Sequence, residues 1–332
     1  MKKTKGQDLP EPSIARVHTD KDRSAQAYAA MASGCGVALL EHCDRIILHG
    51  SDTAAFLNRL LTFDVKGMVP GDSARPFLLD AKGRIQLVMH LRRVADDVFV
   101  AHATEGHGQV IGEQLDLFHF GEAFQCEPAS DWAVLQVVGP QAESVVDRAM
   151  SELGVDHEKH PLEWPGGWRF KAPRSGLADV ELWVRHSHLE AVWAALMAQS
   201  AEPLDRRDLE CFRVASGHPT HPGELGAHSS PLEAGGFDGI SEGKGCYPGQ
   251  EVIERTLALG RPPRRLMSIE SAEFIAPGEL HDEEGRAAGE LTSVVALPNQ
   301  TYRGLALIKQ KYVSNECWFR GEVVANVVKE ET

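Results

Sequence analysis

The chain of 332 residues has no long hydrophobic run and no paired cysteine motif, and it is short of basic residues. Its longest nearly apolar stretch, residues 191–198, is far shorter than the roughly 20 residues that a membrane-spanning helix needs. The six cysteines are widely spread without a C-x-x-C, which argues against a disulfide framework and a zinc ribbon. With 34 Lys and Arg against 48 Asp and Glu, the net charge of −14 disfavours stable binding to nucleic acids or anionic membranes.

The N-terminal segment is polar and charged to about Arg23 and contains no apolar core of a secretory signal. We therefore expect a polar N-terminal tail over residues 1–30 and a cytoplasmic, reducing location. The remaining length predicts roughly two domains, each large enough to bury a core without disulfides.

Short apolar strands, hairpin turns and amphipathic helices follow one another twice between residues 36 and 215. One of these helices is expected to begin after Ser51, a good N-cap residue. This pattern predicts an α+β region over residues 31–255. From Arg265 to Val328 only β patterns remain, which predicts a small all-β domain over residues 260–330.

A long run rich in glycine and proline, residues 216–249, lies near the end of the α+β region. Such an irregular run inside a compact domain is more often functional than incidental. It ends in the octet KGCYPGQE, residues 244–251, in which Cys246 lies between glycines and near Lys244. Two interpretations remain open: Cys246 is a reactive thiol whose thiolate Lys244 favours by charge, or it is a small buried hydrophobe in a turn.

A group of histidines and a group of arginines are weaker candidates for functional sites. His218, His221 and His228 lie in the same run, but their spacing matches no standard site, so no metal ligand is assigned. The only dense basic cluster could receive a polyglutamate tail or an RNA phosphate, although a solvated linker between domains is the favoured interpretation. Its members are Arg261, Arg264 and Arg265.

The octet resembles the signature of the YgfZ family. These proteins are folate-binding-like relatives of the glycine cleavage T protein, an aminomethyltransferase, and include the mitochondrial iron–sulfur assembly factor of the Iba type. Other segments resemble the family in the expected order. They are residues 61–65, 70–71, 83–85, 212–219, 231–234, 289–293 and 304–307.

The resemblance implies an α+β fold like that of the glycine cleavage T protein, with two interwoven α+β lobes and a C-terminal β-barrel around a central funnel. It also implies a role in iron–sulfur cluster assembly or repair, with Cys246 as the working thiol beside Lys244. The partners would be iron–sulfur enzymes, such as tRNA-modifying radical enzymes, or assembly proteins, and tetrahydrofolate is the suspected cofactor. The residues expected to contact folate are Arg213, Gly245, Tyr247, Gly249, Gln250 and Glu251.

Departures from the aminomethyltransferase pattern limit this assignment. The carboxylate that follows the G-R turn in that enzyme is absent between Gln86 and Val88, and Ala215 replaces a glutamate of the family. Because a positioned acid is missing, we expect the protein not to be a true aminomethyltransferase. A tetrahydrofolate-dependent one-carbon transferase remains the alternative function, and a non-enzymatic binding module with an inert cysteine is the third hypothesis.

Arg213 also has two open interpretations. Its guanidinium could pair in a bidentate manner with a folate carboxylate or pterin edge. It could equally form a helix-surface ion pair with Glu210 or Asp208.

Overall fold

A computed structural model of the protein describes residues 21–41, 43–104, 108–156, 162–172, 179–321 and 323–328. The helices are α1 (Lys21–Ser33), α2 (Thr53–Leu60), α3 (Gly108–Asp116), α4 (Ala142–Glu152), α5 (His186–Ala198), α6 (Arg206–Ala215) and α7 (Gln250–Ala258). The strands are β1 (Gly36–Leu39), β2 (Cys43–His49), β3 (Ser73–Ala74), β4 (Phe77–Leu79), β5 (Ile85–Val88), β6 (His90–Ala95), β7 (Val98–Thr104), β8 (Gln125–Pro128), β9 (Trp132–Val138), β10 (Glu163–Trp164), β11 (Gly167–Lys171), β12 (Val180–Arg185), β13 (Glu202–Pro203), β14 (Arg264–Ser271), β15 (Gly278–His281), β16 (Ala287–Ala296), β17 (Tyr302–Lys309), β18 (Cys317–Arg320) and β19 (Val323–Val327).

Two α+β lobes are interwoven along the chain. The first sheet has the strand order β10-β11-β12-β9-β1-β13, and the second has the order β3-β6-β7-β2-β8. The chain leaves the first sheet after β1, builds the second sheet and the separate β4–β5 hairpin, and returns to the first sheet at β9. This arrangement confirms the expected pair of interwoven lobes.

Each sheet is covered by amphipathic helices. Phe56, Leu57 and Leu60 of α2 recur at helical spacing and are buried in one core with apolar residues of the second sheet. Helices α4 and α5 bury their apolar faces against the first sheet. Full burial of each large apolar side chain contributes about 1.5–3 kcal/mol, so these faces fix the lobes in place.

The start of α2 differs from the expectation. Asp52, not Ser51, is the N-cap residue, and its side chain does not cap the helix. The Asp52 carboxylate instead accepts a hydrogen bond from the backbone N–H of Ala123 at 2.8 Å. The residue that precedes the helix therefore ties it to the segment leading into β8.

The C-terminal region is a closed barrel with the strand order β14-β17-β16-β15-β18-β19. The ring closes because β14 pairs with β17 along one edge and with β19 along the other. Trp318 and Leu280 are fully buried among the apolar residues of its core. The all-β character predicted from the sequence is thus observed.

Two helices were not expected. Helix α1 covers residues 21–33, where a polar tail was predicted to reach residue 30; Ala27 and Met31 are 2% exposed in a core with Leu204. The rest of that predicted tail, residues 1–20, lies outside the described residues. Helix α7 follows the glycine-rich run directly and leads toward the barrel.

The described helices include none with the length and apolar character needed to cross a membrane.

Candidate functional site at the Cys246 loop

Cys246 is exposed in a loop of residues 241–249, here called the Cys246 loop, which connects a short 3-10 turn to α7. The thiol takes part in none of the hydrogen bonds or ion pairs of the described residues. Apart from the two chain neighbours of Gly245, no described residue comes within 4 Å of the place that a Cβ on Gly245 would occupy. The approach to the thiol is therefore open, and the interpretation of Cys246 as a buried hydrophobe is wrong.

Lys244 anchors this loop to the C-terminus of α2. Its Nζ donates hydrogen bonds to the backbone carbonyls of Asn58, at 2.6 Å, and Leu61. The ammonium also lies 5.0 Å from the centroid of the Tyr247 ring. A cation is favourable at this end of a helix, where carbonyl groups lack intrahelical partners.

Burial lowers the pKa of Lys244 to about 8. Among the described residues, the polar contacts of Lys244 are to these carbonyls and not to the sulfur of Cys246. The structure thus gives Lys244 a positioning role, and its charge effect on the thiolate stays a prediction.

Thr62 holds the start of the loop. Its Oγ1 donates to the carbonyl of Gly239 at 2.6 Å, and its own carbonyl accepts from the N–H of Ser241 at 3.0 Å. The Oγ of Ser241 in turn accepts from the N–H of Asp64 at 2.9 Å. The segment 61–65, noted for its resemblance to the family, therefore serves as a clamp on the Cys246 loop.

A close backbone contact fixes the other end of the loop. Gly249 has a φ of +79°, and a Cβ there would lie 2.5 Å from the carbonyl oxygen of Asp80 in the β4–β5 turn. Only glycine satisfies both conditions without displacement. Tyr247, 8% exposed, packs into an apolar core with residues of the same hairpin.

Gln250 and Glu251 begin α7. The Gln250 side-chain amide donates to Glu254 at 3.0 Å within the helix. Glu251 is exposed in the first turn, where the helix dipole favours an acid. Their observed role is to start a helix.

Arg213, at the end of α6, is buried, with 6% exposure. Its five N–H donors meet five acceptors: both carboxylate oxygens of Glu210, the carbonyl of His218, Glu224 and the hydroxyl of Ser293. The ion pair with Glu210 is one of the two alternatives raised from the sequence. Asp208, the other suggested partner, takes part in the capping box of α6.

Glu224, which sequence reasoning missed, is the centre of this junction. It is completely buried and accepts hydrogen bonds from Arg213, the N–H of Thr220, Thr292 and Ser293. These contacts join α6, the glycine-rich run and barrel strand β16. A carboxylate in a Pro-Gly-Glu-Leu turn gives no sign of such long-range partners.

Three of the residues expected to contact folate are already engaged within the protein. The donors of Arg213 are all used, Tyr247 faces the core, and the Gln250 amide is bonded within α7. Gln86, where an acid was sought, is exposed on β5 and neutral.

A second polar network, also missed, lies where the two sheets meet. Buried Glu181 of β12 accepts from Arg92 at 2.7 Å, His102 at 2.9 Å and Trp183 at 2.8 Å. Although burial raises it, the charges of Arg92 and His102 bring the pKa of Glu181 down to about 2. The ring of His90 stacks on His102, with centroids 4.4 Å apart. The signal in the sequence was a single acid inside the apolar strand Val180–Arg185.

In the part of the chain that the structure describes, no three His, Cys, Asp or Glu side chains come together as a metal site requires.

Comparisons with known proteins agree with this architecture. The family model of the GCVT N-terminal domain matches residues 11–236. A putative chloroplastic transferase of Arabidopsis thaliana is 24% identical over 93% of this chain and 73% of its own length. An aminomethyltransferase of Geobacillus thermodenitrificans is 26% identical over 86% of this chain and 81% of its own length.

Among solved structures, the glycine cleavage system aminomethyltransferase T of Bartonella henselae superposes with a TM-score of 0.80 at 19% identity, covering 93% of this chain and 88% of that one. This likeness shows a fold like that of the glycine cleavage T protein. Since the family model matches more than half of its residues, the chain belongs to the GCVT N-terminal domain family.

Proposed function

We propose that this protein is an accessory factor for iron–sulfur cluster assembly or repair, with Cys246 as its working thiol. The observation that carries the proposal is the exposure of this thiol on an anchored loop. Of the six cysteines, Cys246 alone is exposed, and it lies on a loop held at both ends by Lys244, Thr62 and Gly249. A thiolate is the preferred protein ligand of iron–sulfur clusters and a strong nucleophile.

The open surroundings of Cys246 favour action on another protein. A small-molecule enzyme places its reactive group in a concave pocket that buries most of its substrate. Cys246, by contrast, lies beside the uncovered backbone of Gly245, which a protein surface can approach. The partners in this proposal are iron–sulfur enzymes, such as tRNA-modifying radical enzymes, or assembly proteins, and the cluster is their cargo. The resemblance of residues 244–251 to the YgfZ signature supports the same assignment.

The test uses cells whose only copy of this protein carries Cys246→Ser. We expect the activity of a [4Fe-4S] radical enzyme, such as a tRNA methylthiotransferase, to fall to the level of a deletion strain while the variant protein stays folded and abundant. Cys317→Ser, which changes a half-buried cysteine of the barrel, is the matched control and should keep activity. Unchanged activity in Cys246→Ser would overturn the proposal.

Thiol labelling separates this proposal from an inert binding module. With iodoacetamide at neutral pH, Cys246 of the native protein should react well before Cys43 and Cys211. Burial raises the pKa of these two thiols to about 12 and about 11, so their thiolate fraction is at least about a hundredfold below that of an ordinary cysteine. Mass spectrometry of the labelled peptides over time gives the order. Labelling of Cys246 no faster than a model thiol with an unperturbed pKa of about 8.5 would favour the inert module.

The second candidate function is a tetrahydrofolate-dependent one-carbon transferase. The relatives that are named as a putative transferase and as aminomethyltransferases favour it. The purified protein would then transfer a methylene group to tetrahydrofolate with turnover above the protein-free rate. Absence of turnover in the wild type, together with the cellular defect of Cys246→Ser, would leave the accessory role as the explanation.

A further inference from the structure

We infer that the exposed face of α7 and the adjacent basic residues form a docking surface for an acidic, partly apolar segment of a partner protein. This inference rests on the proposed function, because it assigns the surface that would hold a partner beside Cys246. We call it the α7 face and define it by Lys82, Arg84, Val252, Arg255, Leu259 and Arg261.

The first observation is a pair of exposed apolar side chains on α7. Val252 and Leu259 are 38% and 68% exposed, and their spacing of seven residues puts them on the same side of α7. The opposite side holds Ile253, 1% exposed, and Leu257 in the core beneath. Helix α7 therefore has apolar residues on two sides: one side is buried in the core, and the other is exposed. Large exposed apolar side chains that share a helix face mark interaction sites more often than single ones do.

The second observation is the charge beside these two side chains. Gly83 lies against Val252, so the hairpin turn brings Lys82 and Arg84 next to α7. Arg255 lies on the helix between the two apolar residues, and Arg261 follows Leu259 after the turn at Gly260. Lys82, Arg255 and Arg261 are exposed, and no ion pair of the described residues uses them.

Arg84 adds to this charge through a shared partner. Arg84 and Arg264 both bind the buried carboxylate of Glu233, at 3.2 Å and 2.9 Å, so this pair of arginines keeps one positive charge in excess. Of the two acids of α7, Glu254 lies about a quarter-turn away from Arg255, whereas Glu251, four residues before Arg255, is on the same side and offsets part of its charge. Lys82, Arg261 and the excess charge of the Arg84–Arg264 pair have no such neighbour on α7. The α7 face is therefore locally positive, although the chain as a whole has a net charge of −14.

An acidic protein segment fits this surface better than a nucleic acid. A phosphate backbone would meet the negative field of the rest of the chain and would gain nothing from Val252 and Leu259. A segment that alternates carboxylates with leucine-like side chains would pair with Arg255 and Arg261 and cover both apolar residues. Since α7 begins four residues after Cys246, a segment bound there would bring its protein close to the thiol.

The experiment uses the full chain and a short fluorescein-labelled peptide of alternating Glu and Leu, with fluorescence anisotropy as readout. The wild type should bind this peptide, and binding should weaken with added salt. The double variant Arg255→Glu/Arg261→Glu should bind about tenfold more weakly. Arg206→Glu, the same change at an exposed position of α6, is the matched control and should bind as the wild type does. Thermal unfolding of each variant establishes that it is folded.

Three results would overturn the inference: no binding by the wild type, equal binding by the double variant, or preference for a single-stranded oligouridylate over the peptide. Leu259→Ser should also weaken binding, which a purely ionic contact would not predict. Cys246→Ser should bind the peptide normally. A defect of Cys246→Ser in cells, with no peptide binding by the wild type, would therefore reject the docking surface and leave the proposed function in place.

Discussion

Lys244 donates a hydrogen bond to the backbone carbonyl of Asn58, a residue 186 positions earlier in the chain. This contact joins the loop that carries Cys246 to the last turn of α2. The thiol is therefore positioned by the N-terminal lobe, although it lies close in sequence to the barrel.

Removing the charge of Lys244 should loosen the Cys246 loop. In Lys244→Met the side chain keeps its length, but the carbonyls of Asn58 and Leu61 lose their donor. We expect amide hydrogen exchange in residues 241–249 to rise about tenfold, the effect of losing roughly 1.4 kcal/mol of local stability. Lys82→Met, at an exposed hairpin turn, should leave exchange in this loop unchanged. Equal protection of the loop amides in both variants would mean that the contacts of Thr62 and Gly249 are enough to hold the Cys246 loop.

Two glycines of the loop form a matched pair. Both have a positive φ, +79° at Gly249 and +72° at Gly243, but only the first lies against other atoms. Gly243→Ala should cost about 1 kcal/mol of unfolding free energy from backbone strain. Gly249→Ala should cost about 2–4 kcal/mol because its Cβ also displaces the carbonyl of Asp80. Urea denaturation measures both, and equal losses would contradict the close contact.

The buried ion pair between Arg213 and Glu224 should dominate the stability of the junction between α6 and the barrel. Arg213→Met leaves Glu224 buried without its cation, and we expect a loss of about 3–5 kcal/mol. Glu210→Gln removes the half-exposed partner and should cost less than about 1 kcal/mol. Urea denaturation distinguishes the two. A larger effect of Glu210→Gln would place the main anchor at the helix surface instead.

His90 should make the fold sensitive to mild acid. Burial, then the charges of His102, Arg75 and Arg92, hold the pKa of His90 well below its usual 6.5. Below pH 6.5 the unfolded chain takes up a proton that folded His90 does not. Its contribution to stability is therefore complete above pH 6.5 and is lost as the pH falls, by up to about 1.4 kcal/mol for each pH unit.

The check compares urea denaturation of the wild type and His90→Phe between pH 7.5 and pH values below 6.5. The variant keeps a ring to stack on His102 but should lose less stability on acidification. His186→Gln changes an exposed histidine and is the control. Identical pH dependence of wild type and His90→Phe would show that other groups account for the acid sensitivity.

The helices and barrel strands that bury one apolar face could be predicted from the sequence. The spacing of Phe56, Leu57 and Leu60 gave α2, and alternating apolar residues gave the barrel. Helix α7 was missed because its nine residues contain one fully buried side chain, Ile253, and follow a glycine-rich run. A pattern that depends on so few buried positions does not stand out from a loop.

The sequence could indicate where the candidate site lies but not the contacts that hold it. The octet pointed to Cys246, and the thiol is exposed. The roles of Lys244 and Arg213 depend on partners from distant segments, the carbonyls of α2 and the hydroxyl of Ser293. Spacing along the chain carries no information on such pairs, so these contacts of Lys244 and Arg213 could not be predicted from the local sequence.

The hydrogen bond from Thr62 to the carbonyl of Gly239 spans 177 positions of sequence. During synthesis, the segment 61–65 cannot form this hydrogen bond until the glycine-rich run has been made. In the same way, β1 cannot pair until β9 has been made. Such distant pairings make assembly slow and interdependent. A chain truncated before residue 239 would lack both the partner of Thr62 and Cys246 itself, so the clamp and the thiol that it positions enter the fold together.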